Sequence, residues 1–291
     1  MRSQSQVSNL QRFMSCQPIR VLAVCSGKGG VGKTNVAVNV AVAMAAQKRK
    51  VCLLDADVSL ANVDVLLGLQ PKYNLSHVAS GEVPLSETLL AGPSDLSVIP
   101  ASSGNFQMTD LPSVSQAAVI QAFSDLDRQP DVLVVDTSAG IAPTVARFVQ
   151  AAQHAVVVVR DEPASLTDAY ALIKVFSQNY GISRFQVITN QSPNAYAGRI
   201  LFSKLQRVTD SYLDVALNHL GDVPQDSYLV KAVQEQRAVV DAYPRSPAGR
   251  AFRKIAERTF ALPTEQKSNG GIEFFIERMM LADQKGRGLV A

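Results

Sequence analysis

Residues 21–34, VLAVCSGKGGVGKT, decide the fold. The opening five residues are apolar and mostly β-branched or small, the composition of a strand buried on both faces. Gly27, Gly29, Gly30 and Gly32 then let backbone N–H groups turn inward around phosphate oxygens. A helical pattern starts at Lys33 and presents its N-terminus to the same anion. A strand running into a glycine-rich turn and then a helix is the context a phosphate loop requires, and the full GxxxxGKT spacing disfavours a ligand-free glycine turn. Lys33 is placed to bridge terminal phosphates and the Thr34 hydroxyl to ligate Mg²⁺. The implied cofactors are ATP/ADP and Mg²⁺, cradled by residues 27–35 with Val31 and Asn35 included. Lys28 is a departure, because an ordinary phosphate loop does not need a lysine directly after its first glycine.

Outward from this loop, short apolar runs recur at 20–25, 51–54, 96–99, 132–135, 155–159, 185–189 and 215–223. Helix candidates lie between and after them, at about 33–47, 114–127, 141–152, 165–179, 195–210, 227–236 and 246–259. Strand–helix alternation predicts one α/β domain over 19–260, a doubly wound, mostly parallel sheet with helices on both faces. The polar stretch 1–18 reads as a flexible N-terminal segment and 261–271, ALPTEQKSNGG, as a linker. A last helix candidate, IEFFIERMMLADQK, opens the segment 272–291.

Two further loops carry carboxylates to the edge where such sheets bind ligands. The second run ends in LLDADVSLANVD (53–64), so Asp55 and Asp57 face the same side of an extended strand. The run VLVV ends in DTSAG (136–140), where Asp136 fits the position that binds Mg²⁺ opposite a phosphate loop. Asp136 or Thr137 can also cap the following helix.

Composition sets bounds. The chain has 291 residues, 47% hydrophobic and 18% charged, which suits a large buried core. A net charge of +3 gives no argument for nucleic acid, and direct binding to it is not expected. Cys16, Cys25 and Cys52 form no CxxC pair, which opposes a zinc or iron–sulfur site, and Cys25 and Cys52 sit in apolar runs as small buried hydrophobes. No run approaches the roughly 18 apolar residues of a membrane span, and the polar N-terminus is unlike a signal peptide. A cytoplasmic protein is expected.

KGGVGKT resembles the deviant Walker A motif of the MinD/ParA ATPases, a likeness covering residues 20–260. It implies that Lys28 reaches across a homodimer to the partner's nucleotide in the ATP state, where added positive charge stabilises the phosphoryl oxygens. Lys28, Lys33 and Asp57 are then the catalytic set, with Asp57 orienting the attacking water. Asp55 lies in the outer shell of the metal, and Gly140 lets the second switch loop move. Asn190 and the GDVPQD loop (221–226), through Pro224 and Asp226, contact the base; both segments also read as plain turns.

Within that family the chain is similar to the FlhG/FleN group of flagellar-number regulators. LLDADVSLANVDVLLGL (53–69), VVDTSAGI (134–141), DEPASLTDAYALIK (161–174), KAVQEQRAV (231–239) and IEFFIER (272–278) carry the likeness. It implies a slow regulatory ATPase whose partners are an FlhF-type GTPase, a flagellar transcription activator of FleQ/FlrA type and flagellar C-ring proteins. It also implies nucleotide-dependent association with the inner membrane at a cell pole. The group's N-terminal GTPase-activating motif, DQAxxLR, is matched in SQVSNLQ (5–11) only at Gln6 and Leu10. The final helix places Ile272, Phe275, Ile276, Met279 and Met280 on one face, leaving two destinations open. It can lie in a membrane interface, or dock on the protein itself or in a dimer groove. The competing functions are a division-site or partition ATPase of the same fold, a metal-cluster carrier and a metabolic ligase.

Overall fold

The apolar runs form one eight-stranded sheet. The computed structural model describes residues 19–57, 62–102, 112–126, 129–263 and 272–286. The N-terminal segment with Gln6, Leu10 and Cys16, and nearly all of the linker, lie outside them.

The strands are β1 (Arg20–Cys25), β2 (Val51–Ala56), β3 (Leu90–Ala91), β4 (Ser97–Ile99), β5 (Val132–Thr137), β6 (His154–Arg160), β7 (Arg184–Ser192) and β8 (Ala216–Pro224). Their order is β3-β4-β2-β5-β1-β6-β7-β8, parallel throughout except for the β3–β4 pair. β1 lies between β5 and β6. Helices therefore cross to opposite faces on either side of β1, and the crevice at its carboxyl end is where such sheets take ligands.

Both faces are covered, which explains the unbroken apolar runs. α1 (Lys33–Ala45) and α10 (Pro247–Ala261) pack over Leu22, Val24, Val132 and Val134. α1 is buried on nearly its whole circumference. The alternate residues Val21, Leu133 and Val135 turn to the other face, under α3 (Leu75–Ala79), α4 (Ser113–Ser124) and α5 (Pro143–Ala151). α6 (Pro163–Tyr180) and α7 (Ala195–Tyr212) complete that face over β6 and β7. α2 (Val63–Leu67), α8 (Ser227–Gln234) and α9 (Val239–Ala242) are short elements near the carboxyl edge.

The final helix, α11 (Ile272–Gly286), packs on the domain between α4 and α5. Its stripe of Ile272, Phe275, Ile276, Met279 and Met280 is buried, each at most 3% exposed. Those side chains share a core with Val119 and Phe123 of α4 and Phe148 of α5, and Phe275 stacks on Phe148 with ring centroids 6.5 Å apart. Of the two destinations, the described chain occupies the docked one. No described helix is long and apolar enough to cross a membrane.

Candidate nucleotide site

The turn from β1 to α1 depends on two glycines. At Gly32 the backbone is left-handed, with φ of +87°, and an added Cβ would lie 2.3 Å from Asn190 Nδ2. At Gly27 an added Cβ would lie 2.2 Å from the Asp168 carbonyl oxygen of α6, so only glycine lets the loop pass that close. No side chain caps α1 at Gly32, which leaves its first amides directed at the ligand edge.

Lys33 is buried, and its Nζ lies 2.6 Å from Asp136 Oδ1 at the end of β5. Asp136 Oδ2 is buried without a partner, and the Thr34 hydroxyl lies beside the same carboxylate. Burial pushes the Asp136 carboxyl upward, against the pull of Lys33 and Thr34. An orphaned carboxylate oxygen beside a threonine hydroxyl fits Mg²⁺, which takes one or two protein oxygens and completes its shell with phosphate and water. Consistently, no group of three or more His, Cys, Asp or Glu side chains forms a protein-only cage among the described residues.

Asp55 is the strand neighbour of Asp136. Burial, and then the Asp136 charge, push its carboxyl up to about 7. Its oxygens accept from three backbone amides, those of Asp57, Asn62 and Val63. Asp55 thus ties β2 to the start of α2, a structural role beyond the metal-shell role expected of it.

Asp57 follows β2 and is half-buried. Its Oδ1 accepts a hydrogen bond of 2.9 Å from the Ser138 hydroxyl. Lys28, Lys33, Thr34, Asp57, Ser138 and Gln236 are among the residues lining one open cavity of about 750 Å³, within the size range of small-molecule sites. Gly29, Gly30, Gly32 and Asn35 share that lining. Val31 is buried behind it.

Lys28 is half-exposed, with its Nζ 3.7 Å from Glu162 Oε2. Glu162 also pairs with Arg160 at 3.3 Å.

The residues expected at the base lie apart from the cavity lining. Asn190 donates to the Val31 carbonyl at 2.8 Å, bracing the loop, while its own Oδ1 is buried without a partner. Pro224 ends β8 beside Ser192 of β7. The Asp226 carboxylate accepts from Tyr228 N and Ala248 N, so it caps α8 and steadies the start of α10. A smaller cavity of about 280 Å³, lined by Lys48, Arg49 and Lys50 among others, opens at the opposite sheet edge, away from this chemistry.

Sequence reading missed Ser138, Glu162 and Gln236. Ser138 and Glu162 stand inside quoted motifs, yet their partners are 81 and 134 positions away, which no local pattern reports. Gln236 lies within KAVQEQRAV as well, and its backbone adds a left-handed φ of 53° at the rim of the cavity.

Comparison with known proteins follows the same lines. The family model described as ParA, NUBPL iron-transfer P-loop NTPase matches residues 18–260. The chain is 50% identical over 271 residues to the antiactivator FleN of Pseudomonas aeruginosa, covering 93% of this chain and 97% of that one. It is 32% identical to the flagellum site-determining protein YlxH of Helicobacter pylori, over 90% of each chain. Its fold matches the septum site-determining protein MinD of Pyrococcus horikoshii, solved with Mg-ADP, at a TM-score of 0.63 and 23% identity. That match covers 82% of this chain and 95% of the other.

Proposed function

The chain belongs to the ParA/MinD family of P-loop NTPases and is an ATPase that works with Mg²⁺, and from that premise we propose that it is a dimerising switch regulating flagellar number and placement. The observation that carries the flagellar part is the match to an antiactivator FleN along nearly the whole of both chains.

The mechanism follows from the site's own residues. Backbone amides of residues 27–33 bind the phosphates, and Lys33 neutralises their charge. Thr34 and Asp136 hold Mg²⁺, which supplies charge neutralisation on the phosphoryl oxygens when bound. Asp57 orients a water in line with the γ-phosphorus. The water oxygen bonds to phosphorus, the bond to the β–γ bridging oxygen breaks, and that electron pair leaves with ADP. The water's protons pass to phosphate and solvent. Lys28 leaves Glu162 and reaches the nucleotide of a second copy, so a dimer forms only in the ATP state. Asn190 and the loop of Pro224 and Asp226 flank the base.

Output depends on the dimer. α11 leaves its seat for the inner membrane at a cell pole, and the ATP form presents surfaces to an FlhF-type GTPase, a FleQ/FlrA-type activator and C-ring proteins. Slow hydrolysis returns ADP-bound monomers. Iron transfer, named in the description of the family model, is not assigned to this chain. Cys25 and Cys52 are buried thiols on separate strands, β1 and β2, each pushed up to about 12 by burial.

The test is microscopy of a strain lacking the chain, with flagella and minicells counted in the same cells. Extra or misplaced flagella with normal division are expected. Minicells with normal flagella would overturn the flagellar output and transfer the switch to division-site placement, the alternative within the family.

A further inference from the structure

The segment 137–140 is pinned at two points, to the end of β1 and to the start of the phosphate loop. The Thr137 hydroxyl donates to the Val24 carbonyl at 2.9 Å, and the Gly140 amide donates to the Ser26 carbonyl at 2.8 Å. Thr137 is fully buried, which anchors the start of the segment against β1. Ser138 lies between these two ties, and its hydroxyl donates to Asp57 Oδ1 at 2.9 Å. Asp57 is held from the other side, since its amide donates to Asp55 Oδ1 at 3.0 Å. Strands β2 and β5 run in register just below, with Ala56 opposite Thr137. A chain of hydrogen bonds therefore runs from the phosphate loop through 137–140 to the Asp57 carboxylate.

The χ2 torsion of an aspartate is broad and roughly two-fold, so the backbone alone does not set the carboxylate plane. Orienting a water requires that plane to be set, and a misplacement of about 1 Å costs on the order of 100-fold in rate. A hydrogen bond donated to a carboxylate is among the stronger neutral-to-charged contacts and sets such a plane well. A side chain two residues after the metal-holding Asp136 is well placed to carry news of the phosphates to Asp57.

We propose that Ser138 is a positioning residue for ATP hydrolysis, fixing the plane of the Asp57 carboxylate and making turnover depend on how the 137–140 loop is seated. The proposal rests on the reading of Asp57 as the residue that orients the attacking water. Ser138 itself touches neither water nor phosphate in this role.

The test uses the full-length protein in steady-state ATP hydrolysis, with ATP affinity measured separately by a fluorescent nucleotide. Ser138→Ala should lower kcat roughly 10-fold while the ATP KM stays within about twofold, since the residue sets geometry and does not bind substrate. Ser138→Thr keeps the hydroxyl and should restore kcat to within about threefold of wild type. A merely structural role would not give this split together with rescue by threonine. Wild-type kcat in Ser138→Ala overturns the proposal, as does Ser138→Thr as slow as Ser138→Ala. Asp57→Ala separates the two readings. If it hydrolyses ATP normally, the assignment of Asp57 falls and this proposal with it. If it is inactive while Ser138→Ala is normal, only the role of Ser138 is lost.

Discussion

Two lysines five residues apart in one loop are held in opposite ways. Lys33 and Asp136 side chains are 6% and 1% exposed with 2.6 Å between charges, whereas Lys28 and Glu162 are 44% and 39% exposed at 3.7 Å. A buried pair that loses one member leaves an uncompensated charge, which costs about 3–5 kcal/mol, whereas an exposed pair contributes under about 1 kcal/mol. Lys33→Ala should therefore destabilise the nucleotide-free protein by about 3 kcal/mol as well as abolish ATP binding, read by urea unfolding and nucleotide titration. The loss is held to the low end because burial already raises the Asp136 carboxyl and lets it take a proton once Lys33 is gone. Unchanged unfolding would mean that the pair adds nothing to the fold. At this scale sequence reading located the glycines, both lysines, Thr34 and the three aspartates, because each is set by a local motif. It did not locate Ser138 or Glu162, whose meaning lies in contacts made by folding. Asn190 and Asp226 are not among the residues lining the cavity, and their side chains brace the loop and cap helices, roles that polar side chains at strand ends serve without a ligand.

Among the elements, α11 shows how a readable pattern can leave its purpose open. Its stripe has the period of an amphipathic helix, and one apolar face suits lipid or protein equally well. The fold shows one of the two, the docked position. α4 crosses from β4 to β5 and α5 from β5 to β6, and α11 sits between them over the sheet. Phe275→Ala should cost about 3–5 kcal/mol in urea unfolding, the range for a buried phenylalanine. Removal of residues 272–291 should abolish ATP-dependent liposome binding and raise binding of a hydrophobic dye to the uncovered seat. Liposome binding that survives the deletion would remove the lipid role and leave α11 as core packing alone. The long strands and helices were all legible from apolar runs and spacing. β3, α2, α3 and α9 were not, since each is only two to five residues long and too short to show a period.

For the whole molecule, the alternation of strands and helices named the doubly wound sheet, and the phosphate loop named the edge that binds. The strand order was not legible, because it depends on which crossovers skip a neighbour. That order brings β1, β2 and β5 side by side, so that Lys33, Asp55 and Asp136 meet though they are far apart in sequence. The proposed dimer lies one level further up. Lys28→Ala should stay monomeric with ATP under light scattering, with nucleotide affinity within about threefold of wild type, because Lys28 is held by its own chain only through an exposed pair. A dimer of wild-type strength in that variant would remove the lysine from the interface.

Strand β5 carries Asp136 near its end and runs into the loop of Ser138, and α5 begins at Pro143, only three residues beyond Gly140. α5 is also one wall of the seat that holds α11. In the proposed switch, phosphate sensing and helix seating therefore share a single lever arm, with the load at one end and the latch at the other. A lever transmits in both directions, and linkage requires that the two ends exchange equal free energy. If ATP loosens the latch by some factor, then a surface that captures the loosened helix must tighten ATP by that same factor. On the proposed switch, a membrane that captures α11 acts as a second ligand of the phosphate loop.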